Sequence, residues 1–116
     1  MKFLRTGLQE LESAAELQKF ISENENAMVC CGRMGPMCLP VYSVMEELEE
    51  ERTNVKFAVI GFDNPEAASI KNAPECRGFT GIPFTMYYKN GKVVQATSSI
   101  QNMQQVTGIL DSKFGK

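Results

Sequence analysis

With 116 residues, 43% of them hydrophobic and 22% charged, the chain can build one packed core, which argues against disorder and predicts a single domain over 1–116. Twelve basic residues stand against fourteen acidic ones for a net charge of -2, and the basic ones are scattered, which excludes the electrostatic footprint of a nucleic-acid binder. No stretch nears the roughly 18 apolar residues of a membrane span, and the first residues hold no apolar run of signal-peptide length, so a soluble cytoplasmic protein without membrane contact is expected.

After a short first segment that can form a strand, Ser13 and Glu16 stand in the spacing of a capping box. Leu17, Phe20 and Ile21 then share one face of a helix over 14–22. "AMVCC" at 27–31 is wholly apolar, the pattern of a strand buried on both faces. Val41, Val44, Met45 and Leu48 recur at helical spacing with glutamates opposite, which predicts a second helix. Pro36 and Pro40 place its start between them, with Cys38 at or just before the N-terminus.

"NVKFAVIGF" at 54–62 reads as a central strand, and "DNPEAASI" opens a third helix with Asp63 or Asn64 as cap and Pro65 first. "KNAPECRGFTGIP" at 71–83 is a loop or a broken helix. Two β-rich runs come next, joined at Asn90-Gly91, the strongest short hairpin signal available. Asn102 and Gln105 make another capping pattern ahead of a last helix with Val106, Ile109, Leu110 and Phe114 on its apolar stripe. The order predicts an α/β fold, a mixed sheet with helices on both faces.

Chemistry gathers in "VCCGRMGPMCLPVY", where Cys30, Cys31 and Cys38 surround Gly35-Pro36. In a reducing compartment these thiols point to catalytic, metal-binding or free cysteines rather than a disulfide framework. The chain has no histidine, which excludes His-assisted thiol chemistry and imidazole zinc sites. Cys30 and Cys31 face opposite ways on a regular strand, and no C-x2-C pair exists, so neither a metal centre nor another cofactor is expected. By the same alternation Cys30 reads as simple core.

The element order, the Gly-Pro beside cysteine at a strand-to-helix junction, and "GFTGIPFTMYYKNGKVV" at 78–94 together resemble the thioredoxin family over most of the chain, roughly 8–114. The resemblance implies a thioredoxin-like mixed sheet and a thiol-disulfide oxidoreductase in cell redox homeostasis. It implies a cis Ile82-Pro83 bond beside the active site, and a substrate surface formed by Ile82, Pro83, Met34, Gly35, Pro36 and Met37. Protein disulfides would be the substrates, a thioredoxin-reductase-type donor the electron source, and a monomer the working form.

The family's Cys-Gly-Pro-Cys motif is altered here. Counted without gaps, Cys38 falls on the resolving cysteine and Gly35 on the nucleophile, while Cys31 and Met34 replace tryptophans, Val29 replaces a buried aspartate and Ser99 replaces a glycine. With an expanded loop, Cys31 and Cys38 form a C-x6-C catalytic pair, and which attacks first stays open. Cys76, in an insertion relative to the family, is a candidate accessory thiol at the rim. Two further readings stand beside the dithiol enzyme: a redox-inactive protein-binding module that keeps the groove at Pro83, and a monothiol enzyme using Cys38.

Overall fold

The computed structural model describes residues 1–115. Strand β1, Gln9–Leu11, leads to Ser13, whose Oγ accepts the Glu16 N–H at 3.1 Å and so starts helix α1, Ala14–Glu23. The Glu16 carboxylate accepts from the Glu12 N–H rather than closing a box on Ser13. Strand β2, Asn26–Gly32, is buried along its whole length, as its unbroken apolar composition requires.

Helix α2, Leu39–Glu51, has Cys38 as its N-cap and Pro40 in its first turn, where a missing N–H leaves no intrahelical bond unmade. One turn precedes it: the Gly35 carbonyl accepts from both Cys38 N at 3.1 Å and Leu39 N at 3.0 Å. Strand β3, Lys56–Gly61, comes after it.

The predicted third helix is shorter than its opening implies. A 3-10 turn at Pro65–Ala67, capped by the Asn64 side chain on Glu66 N, passes into a four-residue helix α3, Ala68–Lys71. Pro74 explains the stop, because the residue before a proline is pushed out of the helical region, and Ala73 has ψ 140°. A further 3-10 turn, Pro74–Cys76, ends the broken segment.

Strands β4, Phe84–Lys89, and β5, Lys92–Ser98, form the hairpin. Its turn places Asn90 and Gly91 at positive φ, 53° and 80°, the reason this dipeptide suits it. Helix α4, Met103–Phe114, opens with a complete capping box between Asn102 and Gln105.

The sheet order is β1-β3-β2-β4-β5, with β1, β3 and β2 parallel and β4 and β5 antiparallel. Two core layers flank it. One packs Met28, Cys30, Val59 and Tyr87 beneath α2 and α4; the other packs Ala27, Val29, Cys31, Ile60 and Met86 beneath α1 and α3. Strand alternation therefore sends Cys30 and Cys31 to different layers. Central β2 delivers the segment 33–38 to the carboxyl end of the parallel strands, where open α/β sheets place their sites.

Candidate functional site

Gly32 ends β2 and sets how closely the loop 33–38 can pack against it. A Cβ there would stand 2.8 Å from Cys38 Sγ, 2.6 Å from the Tyr42 hydroxyl and 3.1 Å from Pro83 Cβ, so glycine admits all three groups to one point. The Ile82-Pro83 peptide bond is cis, and Pro83 is buried there. Cys38 is the thiol of this point. It is 1% exposed, and its Sγ accepts the Arg33 N–H at 3.4 Å.

The loop is held from the helix side. Tyr42, one turn beyond Cys38, donates its hydroxyl to the Arg33 carbonyl at 3.0 Å, so phenol and thiol are linked through the backbone of Arg33. Burial, with the neighbouring thiols, pushes the Tyr42 phenol up, which keeps it a donor. The Arg33 guanidinium extends outward and pairs with Asp63 through two nitrogens, Nε at 3.0 Å from one oxygen and a terminal nitrogen at 2.8 Å from the other. It also lies over the Phe62 ring at 5.1 Å, as does Lys71 Nζ, which donates to the Phe62 carbonyl.

Cys31 stands elsewhere. Its side chain enters the α1/α3 layer with Val29, Phe84 and Cys76, fully buried, while Cys38 lies in the α2/α4 layer. Burial pushes the Cys31 thiol up to about 12. The C-x6-C spacing therefore does not bring the two sulfurs into one layer, and all four cysteines are free. The physical reason is the two-residue period of β2: Cys30, not Cys31, shares the layer of Cys38. Cys30 receives the Thr85 hydroxyl at 3.7 Å and is raised by burial.

Cys76 is not at the rim. It is buried in the layer of Cys31, with its Sγ 3.5 Å from Met86 Sδ. The rim is built instead by Met34, Met37 and Leu39, all exposed, around half-buried Gly35 and exposed Pro36. Ile82, half-buried, touches both core layers. Ser99 closes the other side, its N–H shared between the carbonyls of Gly81 at 3.2 Å and Pro83 at 3.0 Å. Exposed Ile100 comes directly after it.

Gly32, Arg33 and Tyr42 are the site residues that sequence reasoning left out. Tyr42 carried one usable signal, its position a helical turn after Cys38.

No family model matches the chain, and no curated protein does. Solved structures match over nearly its whole length. A thioredoxin of Fasciola hepatica is 26% identical, with 90% of this chain and 98% of that one covered at a TM-score of 0.75. Thioredoxin f2 of Chlamydomonas reinhardtii is 15% identical, covering 95% and 99% at 0.76, and a Plasmodium falciparum thioredoxin is 22% identical, covering 91% and 99% at 0.70. The chain is an α/β protein of thioredoxin fold. The thioredoxin family fits both this fold and the sequence pattern, with the segment 31–38 departing from the family's motif.

Proposed function

We propose that this chain is a thioredoxin-like thiol protein that acts on protein disulfides, with Cys38 as the reacting thiol and the Ile82-Pro83 segment and the Met34–Met37 rim as the surface against which the substrate lies. The observation that carries this reading is the convergence of Cys38 Sγ, the Arg33 N–H and Pro83 at Gly32. The Arg33 N–H fixes the sulfur beside Pro83, and because Cys38 is 1% exposed its attack requires the Met34–Met37 segment to move aside. The Cys38 thiolate bonds to one sulfur of the substrate disulfide and expels the other as a thiolate. A second thiolate then attacks the Cys38 sulfur of the mixed disulfide, releasing the remaining substrate sulfur.

Resolution by Cys31 requires that side chain to leave the opposite core layer, so the arrangement favours a second thiol from outside the chain. A thioredoxin-reductase-type donor belongs to the reading in which Cys31 and Cys38 pair. Either version is assigned to a monomer in a reducing cytoplasm, and neither needs a cofactor.

The test is reduction of insulin disulfides with dithiothreitol as donor, using the wild type, Cys38→Ser and Cys31→Ser. The rate above background should vanish in Cys38→Ser and persist in Cys31→Ser. Loss in both, together with a mapped Cys31–Cys38 cross-link, would restore the dithiol pair. A complete lack of cysteine-dependent rate favours the second reading, a redox-inactive module that docks a protein at the same groove. The burial of all four thiols and the presence of Gly35 where the family has its first cysteine speak for that alternative.

A further inference from the structure

The chain carries eleven sulfur side chains, four cysteines and seven methionines, which differ in access; Met1, at the N-terminus, is 85% exposed and Met103 half-buried. All four thiols are buried, as are Met28, Met45 and Met86. Met34 and Met37 are 41% and 43% exposed, and both stand in the segment that leads into Cys38. The sulfur of Met34 is also structurally engaged: the Arg5 backbone N–H donates to Met34 Sδ at 3.3 Å, tying the segment before β1 to the site. A thioether is a weak acceptor, so this tie is a weak one.

We propose that Met34 and Met37 form a peroxide-modified site, oxidised to methionine sulfoxide ahead of the buried methionines, and that the Met34 sulfoxide takes over the tie to Arg5. Hydrogen peroxide is the oxidant. A sulfur lone pair attacks one peroxide oxygen, the O–O bond breaks, and that oxygen becomes the S=O group. The other oxygen leaves as water, so the thioether loses two electrons and the peroxide gains them. Methionine sulfoxide reductases can reverse the change.

The geometry gives this change two effects. The new oxygen is a far better acceptor than sulfur; because the Arg5 nitrogen and Met34 Sδ stand 3.3 Å apart, the Met34 side chain or the Arg5 segment shifts by roughly 1 Å to admit it, and the Arg5 N–H then holds a conventional hydrogen bond that pins the N-terminal segment against the loop. A polar, chiral group also replaces an adaptable apolar one on the rim, which weakens apolar docking beside Pro83. This second effect rests on the function proposed above; the first does not.

The experiment treats the reduced full chain with increasing hydrogen peroxide, quenches it, and reads the sulfoxide fraction of each methionine by peptide mass spectrometry, with dimedone to trap sulfenic acids. Met34 and Met37 should oxidise about tenfold or more faster than Met28, Met45 and Met86 in the folded chain, and this spread should collapse in urea. An oxidation rate at Met34 no higher than at Met86 overturns the proposal, and the dimedone adducts separate any effect of Cys38 oxidation from that of the methionines. Hydrogen exchange at the Arg5 amide should slow on oxidation of the wild type and ignore peroxide in Met34→Leu; unchanged exchange in the oxidised wild type removes the pinning. In the insulin assay, peroxide should lower the Cys38-dependent rate several-fold, and Met34→Leu/Met37→Leu should lose that peroxide dependence. A wild type without any Cys38-dependent rate refutes the proposed function, while the oxidation map still decides the methionine site.

Discussion

Gly32 and Cys38 occupy one space: a side-chain carbon on the glycine would stand 2.8 Å from the sulfur, closer than such contacts occur. Tyr42 and Pro83 close the remaining sides, so nothing can withdraw without disturbing a buried neighbour. Gly32→Ala should therefore destabilise the fold by about 1–3 kcal/mol, the usual cost of overpacking a dense core. Urea unfolding measures it. A midpoint equal to wild type would mean that Cys38 has a second, unstrained position, and the site would lose its fixed sulfur.

Tyr42 should act on the loop through Arg33. Tyr42→Phe removes the hydroxyl that donates to the Arg33 carbonyl and leaves the ring in its place in the core. The loss of one partly buried hydrogen bond should cost about 1 kcal/mol. Hydrogen exchange at the Arg33 amide, which donates to Cys38, should become faster. If only global stability changed and that amide kept its protection, Tyr42 would be a core residue with no hold on the thiol.

Most of the architecture was legible because its signals are local. Ser13, Asn102 with Gln105, and Asn90-Gly91 each settle a helix start or a turn within a few residues, and each does so in the structure. The site was less legible because its contacts are tertiary. Alternation separates Cys30 from Cys31, but which of them faces α2 depends on how that helix lies on the sheet. The N–H of Arg33 reaches Cys38 only because 33–38 folds back in a tight turn, which neither spacing nor composition reveals. Val44 shows the limit within a helix too: it follows the apolar spacing, yet Tyr42 takes the fully buried position.

Ser99 sits at φ 67°, in the left-handed region, while its N–H serves the carbonyls of Gly81 and Pro83. A Cβ in that region costs about 1–2 kcal/mol, and glycine returns roughly 0.5–1 kcal/mol of that as extra entropy lost on folding. Ser99→Gly should therefore stabilise by about 0.5 kcal/mol, and Ser99→Val, branched at Cβ, should destabilise by more than 1 kcal/mol or so. Thermal or urea unfolding of the two variants gives opposite signs if the strain is real. Destabilisation by both would assign Ser99 a side-chain contact larger than its backbone cost.

The Arg33 guanidinium beside Asp63 holds that carboxyl below its usual range, with burial opposing and Lys71 assisting. A depressed carboxylate value gives a contribution that is present above the ordinary value of about 3.9 and is lost as pH falls through the lowered one. Both side chains are well exposed, so solvent screening leaves little of this in global stability. An NMR titration of the Asp63 carboxyl reads the effect directly. Arg33→Ala should move its midpoint upward, towards the ordinary range, and an unmoved midpoint would mean that the ion pair does not persist in solution.

Alkaline pH should unfold the chain through its buried thiols and phenols. Burial pushes Cys31 up to about 12 and raises Cys30, Cys76, Tyr42, Tyr87 and Tyr88 as well. A group whose value is raised on folding contributes fully below its unfolded value, and that contribution is lost as pH rises towards the folded one. Above about pH 8.5 the unfolded thiols release protons that the folded ones keep, and above about pH 10 the phenols join them. Stability should thus be flat near neutrality and then fall, with each group adding up to about 1.4 kcal/mol per pH unit. Urea midpoints across this range test it, and Cys31→Ala should make the first part of the fall shallower, whatever it costs at neutral pH. Stability that stayed level through about pH 10 would mean that these thiols ionise without unfolding. Cys31 would then have access to solvent, and the reading in which it pairs with Cys38 would gain support.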